Sequence, residues 1–413
     1  MRNKQILVFV ILFSLFFIQG AALLPVRSYA LVVSVAFFFF DAYLLLKRNL
    51  KNNRVFLRWQ MAFILFCAIS ILWAVSRHFS LYVIGMHLIP LFLSSFFIVN
   101  YATDRSTFKV FLWAFYLSAV AEMAYLFLFI DIDTLFLTRF GDSFSDDSLE
   151  ERLNGIYIAG RFVFAIYFGY YLFFKLQDSS KFLKVFFWTI TALMLFFILL
   201  SGSRMALIML VVPIVVMNIG SSRRIGWLIL SAIVIVAGGV FIINNDVLYE
   251  ILGKRVEDFF NILSGNAQGT EDDSRIRLIK LGLNKFIEQP VIGYGINCFR
   301  HFARIAFMGR NYYAHNNYVE LLVDVGIVGF AIYYSVYSYF LKSYKRLKGC
   351  ADSRFLLALI LLSLLIDMAW VSYYNSLSQD LICFIFILIQ LNISQSTTNE
   401  TYRHHSSWID QRY

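Results

Sequence analysis

Phe182-Leu-Lys-Val-Phe-Phe-Trp-Thr-Ile-Thr-Ala-Leu-Met-Leu-Phe-Phe-Ile-Leu-Leu200 is an almost unbroken apolar run that ends on Ser201-Gly-Ser-Arg204. Its length matches the roughly 20 residues a helix needs to cross a bilayer. Its hydrophobicity is continuous rather than alternating, which reads as a helix and not as a barrel strand. Similar runs lie near residues 5–24, 29–46, 57–75, 81–99, 108–130, 155–174, 203–219, 225–243, 317–340, 355–373 and 376–391. The predicted fold class is an all-α polytopic membrane protein of about 12 transmembrane helices, with a large, partly helical extracytoplasmic loop between helices 9 and 10. Sixty per cent hydrophobic residues, 18% aromatics and a mean hydropathy of +0.70 exclude a soluble domain. Met1-Arg-Asn-Lys before an apolar run has the outline of a secretory signal, but the run continues to Leu24 and more spans follow, so it reads as an uncleaved first helix.

Basic residues set the orientation. With a cytoplasmic N-terminus, Lys47, Arg48, Lys51, Arg54 and Arg58 fall inside, as do Lys175, Lys181, Lys184, Arg223, Arg224, Lys342, Lys345, Arg346, Lys348 and Arg354. The opposite loops carry scattered arginines, so the positive-inside rule gives a multi-pass membrane protein with both termini cytoplasmic. The net charge of +10 then reports topology beside anionic lipid, not nucleic-acid binding. Residues 1–391 form the integral membrane domain and residues 392–413 a polar, disordered cytoplasmic tail. Cys67, Cys298, Cys350 and Cys383 have no disulfide or metal-ligand spacing.

Two connections on the outer face are longer than the rest. Residues 131–154 are acidic and read as a solvated loop. Residues 244–316 are too long for a structureless connection. Within them Ile276, Ile279, Leu283 and Phe286 recur at helical spacing between a capping Ser274 and Pro290, and Phe299, Phe302, Ile305 and Ala306 interleave with Arg300, His301 and Arg304 as a second amphipathic helix. No nucleotide, zinc or nucleophile-elbow motif appears, so neither a metal nor a cofactor is expected.

The remaining chemistry lies at the outer boundary. Arg204, Arg161 and Arg275 stand near that surface, and a guanidinium keeps its charge and offers a fork that fits phosphate oxygens. His315 sits where loop meets span, with a pKa range suited to a general base, and Asn316 and Asn317 are placed to cap the helix that follows. His301 is a competing base; His78 and His87 read as structural. Glu320 and Asp324 share a helical face and need either a cation between them or burial against an arginine. Glu122, Asp367 and Asp380 are intramembrane without an assigned role.

Asp273-Ser-Arg275, Glu288-Gln-Pro290-Val-Ile-Gly293-Tyr-Gly295, His315-Asn316-Asn317-Tyr318-Val319-Glu320-Leu321-Leu322 and Gly326-Ile-Val-Gly329 together resemble the C-terminal signature of the O-antigen ligase and polymerase superfamily. Ser201-Gly-Ser-Arg204 resembles its earlier Ser-x-Ser-Arg element and Arg152-Leu-Asn-Gly155 its Arg-x-x-Gly element, whereas Gly160-Arg161 stands where a Pro-Asn pair is common. The resemblance implies a metal-independent glycosyltransferase acting at the outer face on an undecaprenyl-diphosphate-linked saccharide donor and a glycan acceptor. In that scheme Arg204 and Arg275, with Arg161 and Arg152, hold the diphosphate, His315 takes the acceptor's proton, and Asn316, Glu320, Gly293 and Gly295 support the site. The favoured activity is polymerisation of O-antigen or capsule repeat units, alongside a chain-length regulator and a flippase of the same pathway. Ligation of the finished chain to lipid A core is the alternative. A flippase or transporter is the alternative of another class, but it predicts paired halves and broken spans that a chain with four prolines does not display.

Overall fold

The structure, a computed structural model, describes residues 2–21, 23–46, 54–129, 155–177, 179–201, 203–218, 271–350 and 352–410. The helices among them are α1 (Arg2–Gly20), α2 (Val26–Leu46), α3 (Arg54–Ser70), α4 (Arg77–Val83), α5 (Ile89–Tyr101), α6 (Arg105–Phe129), α7 (Gly155–Tyr171), α8 (Lys181–Leu200), α9 (Arg204–Asn218), α10 (Glu271–Glu288), α11 (Phe299–Ala306), α12 (Asn317–Arg346), α13 (Ser353–Ile366) and α14 (Ser376–Asp410). A π-helical turn, Ile84–Leu88, joins α4 to α5, and another, Leu172–Leu176, extends α7. The described residues contain no strand.

Among the described residues, seven helical segments are long and apolar enough to cross a membrane, and Lys4–Gly20, Met205–Asn218 and Ser353–Ile366 are shorter apolar helices. The expected span at 225–243 and the acidic loop 131–154 lie outside the described residues. The bundle is centred on α7 and α14, whose apolar windows are 83% buried, while α2 and α8 at 28% form its rim. Phenylalanine fills the centre: Phe168 stacks on Phe384 with centroids 4.3 Å apart, and Phe108 and Phe111 pack around them. Such stacked pairs add to the burial of large apolar area that holds the helices together.

Three boundaries differ from expectation. The span expected at 355–373 ends at Ile366, because Asp367 turns the chain and accepts the Tyr334 hydroxyl at 2.7 Å. The tail expected to be disordered continues α14 to Asp410. The loop helix α10 begins at Glu271, so Ser274 lies inside it and not at its cap. Its inward face also differs: Leu278 is buried while Ile276 and Leu283 are exposed, since α10 approaches α12 through Gly282, where a Cβ would run into Val319.

The decisive local feature is a break in α12. Gly326 has φ 62° and ψ −169°, so the helix ladder is interrupted there. The turn that follows α10 fills the gap. Tyr294 N–H donates to the Val323 carbonyl at 3.0 Å and Gly295 N–H to the Asp324 carbonyl at 2.8 Å. On the other side of the break, Ile327 and Val328 N–H donate to the carbonyls of Pro290 and Val291 at 2.9 and 3.2 Å. Backbone groups orphaned within the apolar region would cost several kcal/mol each, so the turn completes the helix. Gly293, at φ 65°, is required on both counts: its backbone is left-handed, and a Cβ would lie 2.6 Å from the Asp324 carbonyl.

Gly293→Ala should therefore lower the thermal unfolding midpoint of the detergent-solubilised protein by several degrees, since left-handed backbone alone costs about 1–3 kcal/mol outside glycine and the contact is with backbone. Gly349→Ala is the control, because a Cβ there meets nothing within 4 Å.

Candidate functional site

The turn that fills the break also carries the loop toward the end of the bundle. Ile296 N–H donates to Ser70 Oγ at 3.1 Å, Ser80 Oγ donates to the Ile296 carbonyl at 2.6 Å, and Asn297 Nδ2 donates to the Phe79 carbonyl at 3.1 Å. Asp324, fully buried, accepts the N–H groups of Asn297 and Phe299, both at 2.7 Å, and the Tyr373 hydroxyl at 3.3 Å. One helix thus supplies the N-terminal cap of another, α11. Glu320, also buried, accepts the Ala314 N–H at 2.7 Å. These carboxylates tie the loop to α12 through backbone donors.

The same anchors fix His315. Its backbone is left-handed, at φ 51°, a conformation a non-glycine residue keeps only when its surroundings impose it. Here both neighbours are held: Ala314 by Glu320, and Asn316 as the cap of α12, its side chain accepting Val319 N–H at 3.0 Å. Tyr313 packs on the imidazole with ring centroids 4.0 Å apart. Asn317 does not cap; its amide oxygen accepts the Ser372 and Tyr373 N–H groups at 3.0 and 3.3 Å and secures the α13–α14 turn.

His315 lines a cavity of about 420 Å³ at one end of the bundle. The lining mixes polar residues, among them Arg300, Asn311, Tyr313, Tyr374, Asn375 and Ser376, with apolar ones such as Val26, Met86, Pro90 and Leu91. Arg300 donates to the Tyr374 hydroxyl at 2.9 Å and lies over the rings of Tyr313 and Tyr374. Among the described residues, the lining includes one arginine, two histidines and no carboxylate. The cavity is therefore amphiphilic and suited to an anion that carries an apolar chain.

Of the four arginines expected at the site, Arg161 and Arg275 have described side chains, and neither is among the residues of this lining. Arg161 is fully buried beneath it, 2.5 Å from Glu122 through Nε, and donates to Ser118 Oγ at 2.9 Å and to the Phe16 carbonyl at 2.5 Å. Arg275 lies in the first turns of α10, half-buried and away from the cavity. Arg204 opens α9, and Arg152 lies outside the described residues. His301 packs against Phe302 and His78 against Phe79, both outside the lining.

Arg300 and His87 are the side chains that sequence reasoning missed. Arg300 was visible on the polar face of α11, whose opposite face buries Phe299 and Ala303. His87, read as structural, lines the cavity from the π-helical turn. Three residues before Pro90 in an otherwise apolar run, it carried a signal only in hindsight of that turn, a feature that recurs at functional sites.

Glu122 and Arg161 illustrate a buried pair whose rupture costs more than its replacement. Arg161→Ala should lower stability by about 3–5 kcal/mol, whereas a Glu122→Leu/Arg161→Met double variant should recover most of it, as read by thermal unfolding. Burial, with the nearby Asp324 adding to it, pushes the Cys298 thiol up to about 11. Cys298 should accordingly resist maleimide at pH 7–8 in the folded protein and react after denaturation, as peptide mass mapping would detect.

Residues 189–334 match the O-Antigen ligase family. No curated protein matches the chain. The matched segment runs from α8 to Tyr334 and contains the Gly293 turn, the Gly326 break, Arg300 and His315.

Proposed function

We propose, from the match of residues 189–334 to the O-antigen ligase family, that this protein moves a glycan from an undecaprenyl diphosphate donor to an acceptor hydroxyl. The observation that carries the reading is the meeting of His315 and Arg300 in an amphiphilic cavity whose described lining residues include no carboxylate. The acceptor oxygen forms a bond to the anomeric carbon, the bond to the diphosphate breaks, and the electron pair leaves with the lipid diphosphate. His315 takes the acceptor's proton, a role worth about 10²–10⁴ in rate. Arg300 faces the charge that builds on the leaving group and is held ready for it by Tyr374. Arg204 and Arg275 remain candidate outer contacts for the same diphosphate. Aromatic groups in the lining, including Tyr312, Tyr313 and Trp370, offer faces for sugar rings.

The cavity belongs to the outer face in this reading. Gln19, Tyr29, Tyr157, Asn375 and Ser376 place it where α1 ends and α2, α7 and α14 begin. Lys175, Lys181, Lys345, Arg346 and Lys348 lie near the other ends of their helices, which by the positive-inside rule supports a cytoplasmic location for that side. A site at the end of the bundle supports group transfer over transport, which favours a midplane site.

We take the acceptor to be another lipid-linked repeat unit, making the protein a polymerase of O-antigen or capsule. The second reading is ligation to lipid A core, which the same family match supports equally. Deletion separates them: loss of a polymerase leaves single-repeat surface glycan, and loss of a ligase leaves bare core with accumulated lipid-linked polymer. In vitro, protein in lipid vesicles should turn over an undecaprenyl-diphosphate glycan with EDTA present and nucleotide absent. His315→Ala should lower turnover about a hundredfold or more while donor binding persists, and Arg300→Ala should weaken donor binding. Full turnover by His315→Ala would overturn the general-base role.

A further inference from the structure

His87 lines the cavity between two apolar lining residues of the same segment, Met86 and Pro90, and its ring packs on Tyr374 with centroids 5.4 Å apart. Tyr374 in turn receives the N–H of Arg300 at 2.9 Å. Arg300 comes from the loop helix and His87 from a membrane helix more than two hundred residues earlier, so Tyr374 is the bridge between them. The π-helical turn Ile84–Leu88 is what presents the side chain: its wider winding shifts the register ahead of Pro90 within an otherwise regular span. Tyr82 flanks the ring as well, with centroids 5.8 Å apart.

An amphiphile bound here would set its charge toward Arg300 and Tyr374, and His87 packs on that same Tyr374. We propose that His87 is a donor-binding residue that hydrogen-bonds the diphosphate on its lipid side, so that the anion is gripped between the His87 imidazole and the Arg300 guanidinium while His315 faces the acceptor. The assignment rests on the glycan-transfer reading and adds the lipid-proximal contact to it. The two cavity histidines then have separate roles, since His315 moves a proton and His87 binds.

The proposal is tested by titrating farnesyl diphosphate onto the full-length protein in phosphatidylcholine nanodiscs, followed by kinetics with the undecaprenyl-diphosphate donor. His87→Phe keeps a ring against Tyr374 but removes the N–H, and should weaken farnesyl diphosphate about tenfold, the order of one hydrogen bond to a charged group. His87→Gln restores a donor and should recover most of that loss. In turnover the defect should appear in KM more than in kcat, the reverse of His315→Ala. Unfolding temperatures of both variants verify that each is folded. Wild-type affinity in His87→Phe would overturn the proposal, and so would equal weakening in His87→Phe and His87→Gln, which would mark a packing role. If Arg300→Ala weakens binding and His87→Phe does not, His87 alone is wrong and the transfer reading stands. If the wild type fails to bind the diphosphate and fails to turn over the lipid-linked donor, both fall together.

Discussion

An apolar environment leaves no water to satisfy an interrupted helix, and α12 is interrupted at Gly326. The carbonyls and N–H groups freed at the break find partners in the Pro290–Gly295 turn, four hydrogen bonds in all. Two glycines with left-handed backbone, Gly293 and Gly326, let the two segments approach closely enough to make them. The loop is thus held by the same groups that keep the helix intact, and it cannot leave without exposing them. From this joint, Asn297 and Phe299 are delivered to Asp324, α11 is capped, and Arg300 is turned toward Tyr374. Ala314 is delivered to Glu320, which places His315.

The intramembrane charges divide by what they meet. Asp324 and Glu320 accept backbone N–H groups, Asp367 accepts a tyrosine hydroxyl, and Glu122 faces Arg161. Each is tied to an element that borders the cavity, and none lines it. A carboxylate in the lining would repel an anionic ligand, whereas a carboxylate behind it can hold the wall in place. Burial of these groups is costly, and their hydrogen bonds offset that cost while fixing one arrangement of the wall.

Much of this was legible in the residues. Continuous apolar runs disclosed the helices, the Gly293 and Gly295 turn disclosed a tight bend, and Asn316 after His315 disclosed a helix start at the edge of a span. What escaped notice depended on distance along the chain. Asp324 and Glu320 looked like repelling neighbours because their donors come from other segments, and Arg300 looked like surface because Tyr374 lies 74 residues away. Arg161 looked like an interfacial anion contact because Glu122, which neutralises it, is on another helix. Gly326 was legible only as part of the Gly326-Ile-Val-Gly329 motif, since a break inside a span cannot be read without the turn that fills it. His87 was hidden by winding: the π-helical turn alters which way a residue points without leaving a mark in composition.

The lining without carboxylates has a consequence for the reaction cycle. When a glycan leaves a lipid diphosphate, the terminal phosphate exchanges an ester oxygen for an ionisable one and gains negative charge. A cavity that presents Arg300 and two histidines therefore holds the spent lipid more firmly than the substrate it came from. In the transfer proposed above, such a lining opposes the departure of the lipid carrier. The enzyme would then slow as spent carrier accumulates in the membrane, linking glycan transfer to the rate at which carrier is dephosphorylated and recycled.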